Sequence, residues 1–239
     1  MMLCLLLVLS LQSDAATAKP TAAKAEEIAR GVQLLQAAQK AMGGADKLAA
    51  VKDTTQTAEI VMAEPFEHIK VAQSSRYIAP SEIRQEQVHA KGTTTVYSDG
   101  KSGWIGTKKG STPLNGDGIA TARGVLFRQP CTLMLSDRDR SRTIKAVGPN
   151  TVEISSSEGQ KVKIEFDPKT GLPLRLTYAL SSNGVEAART ETLSDWRDVN
   201  GVRLPFHSVQ VDSGKKMLEL NTSSYKVNTG LKPTELSKP

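Results

Sequence analysis

The sequence predicts an α+β chain that is mainly β: one large curled antiparallel sheet, an N-terminal helix and a mid-chain helical lid. Three observations carry this. Turn signals recur at Gly148-Pro149-Asn150, Glu158-Gly159, Asp167-Pro168-Lys169-Thr170-Gly171, Asn183-Gly184, Asn200-Gly201 and Ser213-Gly214, each separated from the next by a run long enough for one strand. Asn-Gly tolerates the positive φ of type I′ turns, whose twist matches paired antiparallel strands, so these runs read as a meander. Helical periodicity is confined to a stretch from Ala25 and to a segment around Ile119–Met134.

In chain order, Leu3 to Leu11 is apolar and is followed by Ala15-Ala16-Thr17-Ala18, which predicts a cleaved signal peptide over residues 1–18 and export to the periplasm or beyond. The start carries no Lys or Arg, a departure from the usual leader. Residues 19–24 are expected to be mobile. From Ala25, Ile28, Val32, Leu35 and Met42 fall near one helix face, and Gly43-Gly44 ends it. Alternation then begins with Ala58, Ile60 and Met62 and resumes at Ile69 and Val71. Ile83–Val88 is polar on both faces and is expected to border solvent. Thr93–Ser98, Asp99-Gly100 and Lys101–Lys108 form a hairpin, and Gly110–Gly118 reads as loop. Pro130 divides the helical insertion, and strands follow from Thr143 to Val227. The total is about eleven or twelve strands in a single domain over residues 19–239, without a linker that would divide it.

A sheet of this size must curl to bury one face, and the two helical segments are the elements available to cover the concave side. The result is either an apolar cleft or an interior packed shut, and periodicity does not separate them. Aromatic content is 4%, so either interior is aliphatic. The formal net charge is +6, one unit more positive once Asp14 leaves with the leader. Such a surface suits acidic partners, including an anionic membrane surface. Nucleic acid is excluded as a partner: the tightest basic cluster, Arg138–Arg142, is interrupted by Asp139, and no aromatic-plus-basic strand motif occurs.

Catalytic motifs are missing. The sequence has no His-Glu-x-x-His, no Gly-x-Ser-x-Gly and no phosphate-binding glycine loop, so no catalytic residue, metal site or cofactor is expected. His89 and His207 stand alone, neither with a nearby acidic partner arranged for a metal site, and His68 reads as a strand surface residue. Cys131 is the one cysteine beyond the leader and reads as a buried, inert thiol.

Several segments resemble a known family. Val96-Tyr97-Ser98-Asp99-Gly100-Lys101-Ser102-Gly103-Trp104-Ile105 is similar to a hairpin of LolA-type periplasmic lipoprotein carriers. Phe166–Leu174, Trp196–Phe206 and Ala41-Met42-Gly43-Gly44-Ala45-Asp46-Lys47-Leu48 resemble turns and the first-helix end of their broader relatives, the LolA/LolB/LppX-type lipoprotein-sorting superfamily. The resemblance implies a half-open β-barrel lidded by helices, with a cavity for acyl chains. The resemblance does not itself imply lipoprotein transport; the function expected is a non-enzymatic carrier of lipid, acyl chain or lipoprotein, with an envelope protein as a further partner.

The expected wall residues are Ile60, Met62, Ile69, Val71, Leu174 and Leu176, together with Leu204 and Phe206. Leu126 and Phe127 are expected on the lid. Trp104 and Trp196 either line the cavity or anchor hairpins. Two other functions remain open on sequence grounds: an interaction or sensor module with a filled interior, and an accessory subunit of an exported peptidase or hydrolase. Clustering of a histidine with carboxylates would favour the latter.

Overall fold

The computed structural model describes residues 15–65, 69–182 and 185–239. The expected leader as far as Asp14, His68 and the Asn183-Gly184 turn lie outside the described residues. α1 (Ala15–Ala41) and α2 (Ala45–Ala50) precede six strands: β1 (Asp53–Met62), β2 (Lys70–Ile78), β3 (Glu82–His89), β4 (Gly92–Ser98), β5 (Gly103–Thr107) and β6 (Gly110–Pro113). The helical lid follows as α3 (Gly116–Phe127) and α4 (Pro130–Met134). Then come β7 (Arg142–Gly148), β8 (Thr151–Ser156), β9 (Lys161–Phe166), β10 (Pro173–Ser182), β11 (Val185–Val199), β12 (Val202–Asp212), β13 (Lys215–Val227) and α5 (Pro233–Ser237).

All thirteen strands form one open antiparallel sheet, ordered β6-β5-β4-β3-β2-β1-β13-β12-β11-β10-β9-β8-β7. Two meanders, β1–β6 and β7–β13, are therefore joined at the middle by the β1–β13 ladder, with Ile60 opposite Leu220 and Met62 opposite Leu218. The connection from β6 to β7 has to travel from one free edge to the other. That path crosses the concave side, which is why the insertion at Gly116–Met134 becomes a lid.

Two expectations are corrected here. Among the described residues the sheet has thirteen strands rather than about eleven or twelve, because Gly110–Pro113, read as loop, forms edge strand β6. All four of its residues are exposed, so it carries no hydrophobic alternation. Residues 19–24, expected to be mobile, belong to α1.

The tight turns behave as their residues require. Asn200-Gly201 and Ser213-Gly214 take φ of 53° and 84°, and 48° and 82°. Both central residues are left-handed, as a type I′ turn demands. The Asp167 carboxylate accepts from the amides of Lys169 and Thr170, and Asp99 does the same for Lys101 and Ser102.

The main core fills the β7–β12 half. Leu35, Ala38 and Met42 of α1 pack with Val152, Ile154, Val162 and Ile164, all without measurable exposure. Burial contributes about 2 kcal/mol for each such large aliphatic side chain. Gly31 lets α1 sit directly on β7, where a Cβ would lie 2.8 Å from Ala146 N. Gln39, buried on the same helix, donates Nε2 to Met134 O and Asp137 Oδ1, both at 2.8 Å, tying α1 to the end of the lid.

Candidate ligand cleft on the concave face

Directly opposite residues in an antiparallel ladder share a face, so register assigns every side chain to one side of the sheet. Thr54, Tyr77, Ile83 and Ser98 form one row, while Thr55, Arg76, Arg84, Tyr97 and Trp104 form the row beside it. Tyr77 and Ile83 cluster with Leu126 of the lid, which identifies the first row as concave. Trp104 is therefore on the convex face and does not line a concave cleft. Its Nε1 donates to Ser237 O at 2.9 Å, and the Arg84 guanidinium lies 5.2 Å from its ring. Arg84 also donates to the carbonyls of Leu236 and Lys238, so Trp104 and Arg84 together seat α5.

The lid is held at both ends. Arg123 Nε donates to Gly100 O at 2.6 Å, docking α3 on the Asp99-Gly100 turn. At the other end the Tyr77 and Thr132 hydroxyls are 2.7 Å apart, and Arg142 donates to Ser136 Oγ at 3.0 Å. Beneath α3 an open cleft of about 390 Å³ remains, within the range of about 300–1,000 Å³ usual for small-molecule sites. It straddles the central seam, taking Ile60 and Gln56 from β1 and Leu218, Leu220 and Tyr225 from β13.

The cleft has two kinds of wall. Ile60, Leu176, Leu180, Leu193, Leu218 and Leu220 are apolar. The wall made by β1, β2 and β3 carries Gln56, Gln73, Gln85 and Gln87, which are uncharged amides. Gln87 Nε2 donates to Gln73 Oε1 at 2.9 Å, and Gln73 and Gln85 both donate to Ser75 Oγ, at 3.2 and 3.3 Å. Charged groups sit at the α3 side: Arg128, Arg189 and Glu191 all line the cleft.

Of the expected wall residues, Ile60 and Leu176 line this cleft. Leu204 is almost wholly buried and borders a smaller adjoining pocket with Gln56 and Tyr225. Leu126 and Phe127 are on the lid as expected, but both are packed: Leu126 against Tyr77 and Ile83, Phe127 in the main core beneath the Arg142 guanidinium. Trp196 is partly buried against the main core, and buried Phe206 meets Tyr225 edge-on at 5.4 Å. Met62 and Val71 are half-buried beyond the cleft, and Leu174 is half-buried at an irregularity between Pro173 and Arg175. Ile69 precedes β2 and is 38% exposed, which removes it from any wall.

Sequence reasoning missed the glutamines and the charged trio. β3 reads as polar on both faces, yet its faces differ in kind: Gln85 and Gln87 point one way, Arg84 and Glu86 the other. Uncharged amides facing inward, against charges facing outward, was the available signal.

His207 is also corrected. Its Nε2 lies 2.8 Å from Glu219 Oε1 and its Nδ1 lies 2.7 Å from Ser194 Oγ, a row crossing β11, β12 and β13. Serine nucleophile chemistry needs free N–H donors placed for an oxyanion. Here Ser194 and His207 face each other in a sheet ladder, and Lys216 Nζ also holds Glu219 at 2.6 Å. The row is a cross-strand polar network. The hydrogen bonds from Lys216 and His207 hold the Glu219 carboxyl below the usual carboxylate range. Among the described residues no group of three His, Cys, Asp or Glu could hold a metal ion. No helix of the described residues is long and apolar enough to cross a membrane.

A curled open sheet, a helical strap and a cleft between them define a lidded half-barrel class. No protein-family model and no curated protein matches the sequence. Solved structures do match, and they show the LolA-like fold. A candidate outer-membrane lipoprotein-sorting protein domain from Vibrio parahaemolyticus is 13% identical, with a TM-score of 0.54 over 87% of this chain and 97% of that one. A LolA superfamily protein from Nitrosomonas europaea is 14% identical, with a TM-score of 0.56 over 84% and 97%. A DUF1329 family protein from Desulfovibrio piger is 10% identical, with a TM-score of 0.57 over 88% and 99%. The first of these agrees with the lipoprotein-sorting resemblance of the Asp99–Trp104 hairpin, at the level of fold.

Proposed function

We propose that the chain is an exported, non-enzymatic binding protein that holds an acyl chain or single-chain lipid in the cleft beneath α3. The carrying observation is the open, two-walled cleft itself. The same lid that seals the β7–β12 half leaves a volume of about 390 Å³ at the seam. That is room for about a dozen methylene-sized groups, using the volume of a water molecule as the measure. Each methylene transferred from water contributes about 0.8 kcal/mol. The amide wall suits the polar portion of such a ligand. The fold shared with a LolA superfamily protein and a lipoprotein-sorting domain supports the reading, with a lipid or lipoprotein as cargo and the periplasm as its place.

The test is native mass spectrometry of protein purified from a cell envelope, followed by organic extraction. A stoichiometric lipid is expected, and Ile60→Glu, folded by circular dichroism, should lose it. A clean protein mass that also fails to take up a fluorescent acyl probe would sink the reading. That result would favour the second one, an interaction module with a filled interior, which the closed main core supports.

A further inference from the structure

The charged end of the cleft carries an inference about the ligand, resting on the acyl-cleft reading above. Arg128 caps the C-terminal end of α3, and its guanidinium carbon lies over the Tyr178 ring, 3.6 Å from the centroid. Gly124 leaves the room it occupies, since a Cβ there would come within 2.9 Å of Arg128 Nη1. The side chain is enclosed by protein on most sides yet keeps some accessible surface, because it lines the cleft. Among the described residues it makes no ion pair.

On β11, directly opposite Tyr178 in the ladder, Arg189 gives Nη2 to Asp212 at 3.2 Å, while its Nε is buried without a partner. Glu191, also on β11, is the one carboxylate of this wall and likewise forms no ion pair among the described residues. Burial pushes the Arg128 guanidinium below its ordinary value, and repulsion from Arg189 adds to this, against the pull of Tyr178 and Glu191. A desolvated cation with no carboxylate in ion-pair contact is costly, and an incoming anion relieves that cost.

We propose that Arg128, seconded by the unpartnered Nε of Arg189, anchors the anionic head group, a carboxylate or phosphate, of the amphiphile held in the cleft. The chain of the ligand lies against Ile60, Leu218 and Leu220, and its head meets the guanidinium pair. The planar fork of arginine suits both oxyanions, through charge-assisted hydrogen bonds. Glu191 competes with the ligand for Arg128, and so sets the affinity.

The test compares 11-(dansylamino)undecanoic acid with its methyl ester by fluorescence titration of the full chain. The acid is expected to bind about tenfold more tightly than the ester, the scale of a hydrogen bond to a charged group. Arg128→Gln should abolish that preference, so that acid and ester bind equally, whereas Arg128→Lys should keep part of it. Glu191→Gln should widen the preference for acid over ester by strengthening acid binding, a gain that misfolding cannot produce. Equal binding of acid and ester by the wild type overturns the anchor while leaving the acyl cleft standing. Failure of both probes overturns the acyl cleft itself. Inorganic phosphate separates the sources: displacement of the acid but not the ester by millimolar phosphate supports the anchor. Tight phosphate binding that requires Arg128 and gains nothing from an acyl chain overturns a lipid head group as the ligand.

Discussion

At the residue scale, a buried thiol shows how far composition and environment reach. Cys131 stands on α4 within the main core, and burial pushes its thiol up to about 12. The thiolate is the reactive species, so at pH 8 the folded protein should resist iodoacetamide for hours and be labelled within minutes in denaturant. Rapid labelling of the native protein would show that α4 opens. The inertness of Cys131 was legible from its lack of a nearby histidine. The glutamine wall was not, because a glutamine carries no burial signal of its own. Only the register that sets Gln73 beside Gln87, and Ser75 beside Gln85, makes those amides one surface. His207 was misread for the same reason, since Glu219 reaches it across a strand ladder twelve residues away in sequence.

At the scale of elements, the sequence signatures turn out to mark contacts between elements. Gly43, which ends α1, takes φ +116°, and a Cβ there would lie 2.1 Å from Gly201 O. Arg203 N donates to Met42 O at 2.9 Å at the same junction. The Met42-Gly43-Gly44 and Asn200-Gly201 motifs, far apart in the chain, therefore form one packed joint between the first helix and the β11–β12 hairpin. Gly44 also has positive φ, +103°, but nothing within 4 Å of its missing Cβ. Gly44→Ala should cost only the strain, about 1–2 kcal/mol. Gly43→Ala should cost more, about 3 kcal/mol or above, or roughly 6–12 °C of Tm for a chain of this size. Thermal melts of the two variants check this, and equal losses would remove the contact from the account. A strand such as Lys161–Phe166 was legible as part of the run from Thr143 to Val227, since it alternates between outer and buried residues and lies between turn signals. β6 was illegible because an edge strand of Gly-Ser-Thr-Pro is held by backbone pairing alone.

At the scale of the molecule, stability is unevenly shared. β8 and β9 hold four wholly buried aliphatic residues, whereas β6 is exposed throughout. Amide exchange should therefore be slowest in β8 and β9, at the global unfolding limit, and fastest in β6 and the first turn of α3. Comparable protection at both ends of the sheet would contradict a core confined to one half. The mainly β class, the two helical insertions and their order were readable from turn spacing and periodicity. The pairing of the first strand with the last was not, since nothing local in Asp53–Met62 or Lys215–Val227 names its partner. That pairing leaves two sequence-contiguous halves sharing a single ladder, with the cleft lying across it. Whatever occupies the cleft touches Ile60 on one side and Leu220 on the other, and so acts as a rivet between two plates. Saturation a hundredfold above Kd would add about 2.7 kcal/mol to the cohesion of that joint. Loaded and empty molecules then differ in durability as well as in content, and proteases would clear the empty ones first.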